Sequence, residues 1–354
     1  MNLTQIHIHN LRIFSELEFQ PDPGINLITG ANGVGKTTIL EAIYLLARAK
    51  SFRTSSTSSL IRQGENDLLL RAKMQGRDGV TQTVALQKSH NRTLVKVSGT
   101  SLKRLSTLAR RLPLGLATAS IHKLLEEGPG QRRKFINWGV FHVEPGYSRL
   151  MTDFQRLLAQ RNYSLRHASH ETHIWDRQFV NCSDQITLAR ENYIVLFRNY
   201  LLRLIESFSF LENLRIDFYP GYKTQEGLQL DLTERSKSDI RQGYTSVGPH
   251  RCDIRIKLGK MPAAQSLSRG QQKILCLLMF IAQYQLLESV MGEKPIILID
   301  DLQAELDSQS IHKILQIISD LDYQTFITSL EAGLQLSVKK VFHVEHGRIA
   351  QLET

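Results

Sequence analysis

Cysteine is scarce in this chain of 354 residues, and its three cysteines lie far apart. Cys182, Cys252 and Cys276 form no CxxC pair, and their number is odd. We therefore expect neither a framework of structural disulfides nor a thiolate zinc site, because both need paired or closely spaced cysteines. This cysteine usage is typical of a reducing compartment and predicts a cytoplasmic protein.

Long apolar runs are missing as well. The longest, Ile274–Ala282, has nine residues, whereas a membrane-spanning helix needs about 20. The first ten residues contain no Lys, no Arg and no apolar stretch, so we expect no secretory signal and no membrane partner. With 42% hydrophobic and 22% charged residues, the composition is globular and excludes a wholly disordered chain.

Acidic residues are outnumbered, with 34 Asp and Glu against 44 Lys and Arg, which gives a net charge of +10. Residues 101–170 hold twelve of the basic residues and only four acids, so this window carries +8 of the total. The imbalance fits a nucleic-acid partner, because binding of phosphates by basic side chains drives such association; a solvated helical surface is the alternative. Within the window, Arg132, Arg133 and Lys134 are candidates for DNA contact or for salt bridges inside their own lobe.

Residues 30–37 read GANGVGKT and match the phosphate-binding pattern GxxxxGK[ST]. A buried strand is predicted at 25–28 and an amphipathic helix at 37–49, as the mechanism requires. The glycines let backbone N–H groups surround phosphates, the lysine reaches the β- and γ-phosphates, and the Thr37 hydroxyl binds Mg²⁺. We therefore predict ATP and Mg²⁺ as cofactors. The candidate nucleotide-binding residues are Gly30, Ala31, Asn32, Gly33, Val34, Gly35, Lys36, Thr37 and Thr38.

A second apolar strand, predicted at 296–299, ends in Asp300 and Asp301. A phosphate-binding loop such as residues 30–37, or P-loop, needs an acid at the end of a neighbouring strand to hold Mg²⁺. We assign that role to Asp300. Asp301 is the candidate catalytic residue, which would polarise the attacking water. Without the P-loop, two acids after a strand would indicate only a solvated loop or a helix cap.

The sequence Leu267–Gln271, LSRGQ, comes just before an apolar helix. Ser268 is a good N-cap, so a merely capped helix is one interpretation. However, the order of P-loop, LSRGQ, apolar strand with two acids and Glu305-Leu306-Asp307 resembles that of ABC-type ATPases. In those proteins the signature serine of one subunit meets the γ-phosphate bound by the other. The resemblance makes Ser268, Arg269, Gly270 and Gln271 candidates for a signature that acts in trans.

From end to end the chain resembles the RecF family of ABC/SMC-type ATPases. The segments that carry the resemblance are 28–53, 60–65, 128–145 (GPGQRRKFINWGVFHVEP), 241–253 (RQGYTSVGPHRCD), 267–273, 298–307 and 341–349. Both ends of the chain have α/β patterns and residues 130–210 are mainly helical. We therefore predict an α/β fold with discontinuous domains: a Rad50/ABC-like ATPase head formed by 1–120 and 245–354, and an inserted helical lobe II at 121–244.

The resemblance also implies a function: an ATP-dependent homodimer on DNA that recognises gapped DNA and single-strand–double-strand junctions. It further implies slow DNA-dependent ATP hydrolysis and cooperation with RecO and RecR in loading RecA. Some positions depart from the family pattern. Ala119 and Ser120 stand where Pro and an acid are usual, Asn137 replaces a frequent Asp, and Thr328 and Ser329 stand where transporters have a switch histidine.

Two other classes of ATPase fit the sequence less well. The motor subunit of a membrane transporter is disfavoured because Leu267 lies 230 positions after Thr37, and the segment between them includes a basic helical insertion. A nuclease-coupled or toxin-associated ABC ATPase normally depends on an acidic metal cluster, and the sequence shows no pattern of that kind.

Overall fold

The computed structural model describes residues 1–76, 78–102, 108, 112–167, 173–223, 227–330 and 338–352. The chain forms two compact units: a first unit of Met1–Ile121 and Gly292–Thr354, and a second unit of His122–Met291. We predicted that the head would resume at residue 245, and this boundary is wrong. Residues 245–291 join the second unit because their strand and long helix pack on elements of that unit.

Strands dominate the first unit, and helices dominate the second. In chain order, the strands are β1 (Asn2–Leu11), β2 (Phe14–Phe19), β3 (Ile25–Thr29), β4 (Asp67–Gln75), β5 (Thr81–Ser89), β6 (Thr93–Val97), β7 (Thr100–Ser101), β8 (Leu114–Ala117), β9 (Leu214–Tyr219), β10 (Asp253–Leu258), β11 (Met261–Pro262), β12 (Ile296–Ile299), β13 (Thr325–Thr328), β14 (Lys340–Glu345) and β15 (Arg348–Leu352). The α-helices are α1 (Lys36–Arg48), α2 (Lys123–Glu126), α3 (Pro129–Val143), α4 (Tyr147–His167), α5 (His173–Ile205), α6 (Gly227–Gln242), α7 (Ala263–Ser266), α8 (Arg269–Met291) and α9 (Ser308–Leu321).

One sheet of the first unit is antiparallel, in the order β2-β1-β4-β5-β6-β7. Apolar and polar residues alternate along β4, which buries one face and exposes the other. Strands β4 and β5 pair Gln75 with Thr81 and so form a hairpin around Asp78-Gly79, a dipeptide that favours tight turns between strands.

The other sheet of the first unit has the order β15-β14-β3-β13-β12-β8, and all its neighbours except β15 and β14 run parallel. Every residue of β3 and β12 is buried, as expected for parallel strands covered on both faces. Their carboxyl ends lie at the same edge of the sheet, with β13 between them. The ends of these strands therefore bring the P-loop and the two aspartates to one place.

Helix α1 lies between the two sheets of the first unit. Nine of its thirteen residues are buried, and its apolar side chains share one core cluster with residues of both sheets. A helix that contacts sheets on opposite sides needs apolar residues around most of its circumference. This packing fixes the position of the residues at the start of the helix.

The second unit combines the long helices α3, α4 and α5 with a small antiparallel sheet, β11-β10-β9. The mainly helical structure predicted for residues 130–210 is thereby confirmed. Helix α8 is long and apolar enough to cross a membrane, although its longest uninterrupted apolar run has only nine residues. A core helix passes the same test, and most of α8 is buried, in contact with α3 and α5.

Candidate nucleotide-binding site

The P-loop takes a shape that only glycine permits at two of its positions. Gly30 and Gly35 have φ values of 140° and 111°. A Cβ on Gly30 would lie 2.4 Å from the carbonyl oxygen of Val344, and one on Gly35 would lie 2.5 Å from Cζ of Phe14. The backbone can therefore curve closely around an anion that lies at the N-terminus of α1.

The ammonium group of Lys36 lies over this loop. Its Nζ donates hydrogen bonds of 2.7 and 2.8 Å to the carbonyl oxygens of Gly30 and Ala31. Burial lowers the pKa of Lys36 below its usual range, while the carboxylates of Asp301 and Asp300 oppose that shift. A single lysine thus lies between the loop and two acids, where a phosphate group can replace the carbonyls as its partner.

Asp300 connects three elements of the first unit. Its Oδ1 accepts hydrogen bonds from Oγ1 of Thr37 at 2.9 Å and from Oγ1 of Thr328 at 2.8 Å. Its backbone N–H donates to the carbonyl oxygen of Ala117 at 2.8 Å. A hydroxyl and a carboxylate in contact form the kind of oxygen donor set that Mg²⁺ prefers, so these residues fit the predicted metal.

Asp301 has a φ of 58°, in the left-handed region that non-glycine residues seldom occupy. Its backbone N–H donates to Oγ1 of Thr328 at 2.8 Å, so the same threonine binds both neighbouring aspartates. Both aspartates line a cleft of about 440 Å³. The sequence-predicted residues that line it are Asn32, Gly33, Gly35, Lys36, Thr37, Thr38, Asp300 and Asp301. Gly30 and Ala31 contribute the carbonyls under Lys36, and Val34 packs against the core.

Two arginines that we did not predict also line the cleft, Arg12 and Arg53. Arg12 forms a bidentate ion pair with the fully buried Glu41 of α1, with Nε–Oε2 at 2.5 Å and Nη2–Oε1 at 2.9 Å. Nη1 of Arg53 lies 3.8 Å from the same carboxylate, which also accepts a hydrogen bond from Ser51. Two guanidinium groups share one acid, which leaves positive charge at the cleft. A glutamate within the apolar stripe of α1 was the one sequence signal for this cluster.

Ser329 also lines the cleft and is almost completely buried. Its hydroxyl donates to Oε1 of Gln303 at 2.6 Å, and its N–H donates to the carbonyl oxygen of Ile28 at 3.0 Å. Ser329, one of the two residues that stand where transporters have a switch histidine, therefore links the segment after β12 to the P-loop strand.

The LSRGQ motif lies in the second unit, at the start of α8. The Ser268 hydroxyl accepts a hydrogen bond from the Gln271 N–H at 3.3 Å, and Oε1 of Gln271 accepts one from the Ser268 N–H at 3.0 Å. This reciprocal pair is a capping box. The capped-helix interpretation therefore describes the motif within one chain, and the role in trans stays a prediction for Ser268, Arg269, Gly270 and Gln271.

The three basic residues predicted to contact DNA differ in exposure. Arg132 forms a bidentate ion pair with Asp253, at 2.8 and 3.0 Å, and Nη1 of Arg133 donates to the carbonyl oxygen of Cys252 at 3.0 Å. Lys134 is exposed. The geometry favours the internal alternative for the two arginines, which tie α3 to the segment that leads into β10.

Comparison with known proteins identifies the family. The model of the RecF/RecN/SMC N-terminal domain matches residues 2–351. The chain is 36% identical to the DNA replication and repair protein RecF of Shewanella piezotolerans and 37% identical to that of Shewanella pealeana, and each alignment covers 100% of both chains. The chain belongs to the RecF family. The resemblance inferred from its motifs is thereby confirmed.

Solved structures agree with this assignment. A structure of the recombination mediator protein RecF-ATP in the RecFOR pathway superposes with a TM-score of 0.83 and 26% identity, over 99% of this chain and 97% of that one. An Smc head domain from Pyrococcus furiosus is 14% identical and gives a TM-score of 0.61 over 99% and 96% of the two chains, a likeness of fold alone. The predicted α/β class, an ATPase head of the ABC and SMC type, is confirmed.

Proposed function

We propose that this chain is an ATP-dependent DNA-binding protein of recombinational repair in the cytoplasm. It dimerises on DNA with ATP, recognises gapped DNA and single-strand–double-strand junctions, and helps RecO and RecR to load RecA. Its ATP hydrolysis is slow and depends on DNA. The observation that carries this proposal is the hydrogen bond from Thr37 to Asp300 beside the P-loop lysine, in a chain that belongs to the RecF family.

ATP would bind along the P-loop, with its phosphates on the backbone N–H groups and on Lys36. Thr37 and Asp300 would hold Mg²⁺, which supplies charge neutralisation for the transferred phosphoryl group. Asp301 would orient and polarise the attacking water. These roles are supported by the shared cleft and by the contacts of the two aspartates with Thr328.

Dimerisation would place the LSRGQ motif of one copy against the γ-phosphate bound by another. The N-terminus of α8 suits an anion, because the unpaired N–H groups of a helix start carry positive potential. Ser268 caps the helix in the single chain, so its hydroxyl is held at that N-terminus by its bond with Gln271. ATP would then stabilise the dimer, and hydrolysis would release it.

DNA is proposed as the polymeric partner because the chain has a net charge of +10. With phosphates as the main contacts, affinity should depend weakly on base sequence and fall steeply with salt. Of the three residues nominated for phosphate contact, Lys134 is the exposed one and is retained as a candidate.

Light scattering with and without ATP and gapped DNA tests the proposal. We expect dimers only when ATP is present and a slowly dissociating complex when DNA is added. Lys36→Met should weaken ATP binding at least about tenfold, because an ion pair with phosphate is lost, and should abolish the dimer. Lys260→Met removes an exposed lysine from the second unit and is the matched control. A wild-type chain that stays monomeric with ATP would refute the proposed dimer.

A further inference from the structure

Two tyrosines of the second unit are exposed side by side with basic residues. Tyr163 is 62% exposed on α4, and Tyr244 is 42% exposed just after α6. A partner that covers an exposed aromatic ring buries its apolar surface and gains binding energy from it. The two tyrosines are available for such contact.

The two tyrosines belong to segments that touch each other. Oδ1 of Asn162 accepts hydrogen bonds of 2.8 Å from both the N–H and the hydroxyl of Thr245. Gly243 has a φ of 72°, and a Cβ there would lie 2.8 Å from Cγ of Arg166. The residues on either side of Tyr244 are thus fixed to the turn of α4 that carries Tyr163.

Basic and aromatic groups alternate on this surface. The ring of His167 lies 4.5 Å from that of Tyr163, and the guanidinium of Arg251 lies 5.3 Å from the ring of Tyr244. Arg166, His167 and Arg251 are all exposed. We call Tyr163, Arg166, His167, Tyr244 and Arg251 the tyrosine–arginine surface.

Two carboxylates from the same part of the unit form ion pairs with a buried arginine and not with the basic residues of this surface. Asp176 and Asp239 both pair with the buried Arg161, at 2.9 and 3.5 Å, and Arg161 also donates to the Thr245 hydroxyl. The electrostatic environment is positive, since Arg251, Arg133 and Arg161 add to the burial that lowers the pKa of the neighbouring His250. An anion is therefore favoured over a cation here.

We propose that the tyrosine–arginine surface binds single-stranded nucleic acid, with bases stacked on the two tyrosine rings and phosphates held by the two arginines. Proteins that bind single strands combine aromatic platforms with positive charge, and a duplex offers no free base face for stacking. This inference rests on the proposed function, because it assigns the single-stranded part of a junction to a defined surface.

The test uses the full chain and two labelled probes, an oligothymidylate and a blunt duplex, in fluorescence anisotropy. Tyr163→Ser and Tyr244→Ser should each weaken oligothymidylate binding at least about fivefold and leave duplex binding unchanged. Tyr163→Phe and Tyr244→Phe keep the rings and should bind as the wild type does. Leu188→Ser alters a side chain that is 58% exposed on α5 and should have no effect.

The salt dependence of oligothymidylate binding tests the two arginines of the surface. Arg166→Gln and Arg251→Gln should each reduce the log–log salt slope for oligothymidylate by about 0.7. Far-UV circular dichroism of every variant reports whether the mainly helical second unit is folded, because ATP affinity reports only on the first unit, which holds the nucleotide cleft.

The outcomes separate the two proposals. If the wild type binds oligothymidylate and both serine variants bind it equally well, the surface assignment is wrong while the proposed function stands, and the tyrosines serve a protein partner instead. Equal losses for oligothymidylate and duplex would also overturn the assignment, because stacking is specific to single strands. If the wild type binds neither probe, the proposed DNA function and this assignment both fail.

Discussion

Oγ1 of Thr37 donates a hydrogen bond of 2.9 Å to Oδ1 of Asp300, across 263 positions of sequence. The threonine stands in the first turn of α1 and the aspartate immediately follows β12, so the contact depends on the parallel order of β3, β13 and β12. Oδ1 of Asp300 accepts a second bond from Thr328, which fixes the carboxylate from the other side. Such doubly anchored oxygens hold their position when a metal ion binds.

Asp300→Asn should weaken Mg²⁺-dependent ATP binding at least about tenfold. The oxygen that accepts the hydrogen bond from Thr37 and would contact the metal loses its negative charge in this variant. Titration calorimetry with ATP, at several Mg²⁺ concentrations, measures the effect. Wild-type dependence on Mg²⁺ in this variant would remove Asp300 from the metal site.

Asp301→Asn should impair ATP hydrolysis and leave ATP binding intact. ATP and Mg²⁺ binding should persist through Asp300, while hydrolysis falls about 100-fold or more, because the group that polarises water is lost. Asn tolerates the left-handed φ of 58° at this position, so the backbone need not change. Turnover and the residence time on DNA are measured together, and we expect a long-lived complex. Hydrolysis at the wild-type rate would show that another residue orients the water.

The P-loop and its aspartates could be predicted because their signals are local. Eight consecutive residues define the loop, and four apolar residues before two acids define the neighbouring strand. The cluster of Arg12, Glu41 and Arg53 could not be predicted, because it depends on the turn between β1 and β2 lying against α1. The complete burial of Glu41 identifies it as the acid that both arginines share.

The boundary of the second unit was missed for a similar reason. Residues after 245 have the strand and helix patterns of an α/β domain, but β10 pairs with β9 and α8 packs on α5. Arg132 was ambiguous because its partner Asp253 lies 121 positions away. Long-range pairing of this kind leaves no trace in residue spacing.

Asn137→Asp should stabilise the second unit by about 1 kcal/mol. Oδ1 of Asn137 accepts from Nε and Nη2 of the buried Arg190, at 3.2 and 2.8 Å, and from the Tyr147 hydroxyl at 2.8 Å. Arg190 also donates to the carbonyl oxygen of Pro249 and to the sulfur of Cys252, but it pairs with no carboxylate among the described residues. A negative oxygen would strengthen the existing hydrogen bonds.

Denaturant unfolding measures this change, with Asn137→Ala as the control. The alanine variant leaves guanidinium donors unpaired and should be destabilised by about 1–3 kcal/mol. An aspartate variant less stable than the wild type would mean that desolvation of the carboxylate outweighs its pairing with Arg190.

His250 should make stability depend on pH. Burial lowers its pKa from 6.5 to about 4, helped by Arg251, Arg133 and Arg161 and opposed by a hydrogen bond with the Thr245 carbonyl. The folded state therefore favours the neutral ring. This stabilisation is complete above pH 6.5 and is lost as the pH falls from 6.5 through about 4. The shift corresponds to about 3 kcal/mol.

Unfolding free energies of the wild type and of His250→Gln, measured between pH 7 and about 4, isolate this effect from that of the carboxylates. The glutamine can still donate to the Thr245 carbonyl, and its amide does not titrate. We expect the wild type to lose more stability than the variant over this range. Parallel pH curves would show that His250 titrates in the same way in both states.

Ser268→Asp separates the two roles of the signature serine. Aspartate is as good an N-cap as serine, so the stability of the chain should be unchanged. Its charge would face the γ-phosphate of another copy, so we expect ATP-driven dimers to disappear while ATP binding by the monomer is retained. Ser268→Ala tests the cap alone: the bond with the Gln271 N–H is lost, and stability should fall by about 1 kcal/mol. Light scattering with ATP and denaturant unfolding measure the two effects. Normal dimers of the aspartate variant would leave Ser268 with no role beyond its capping box.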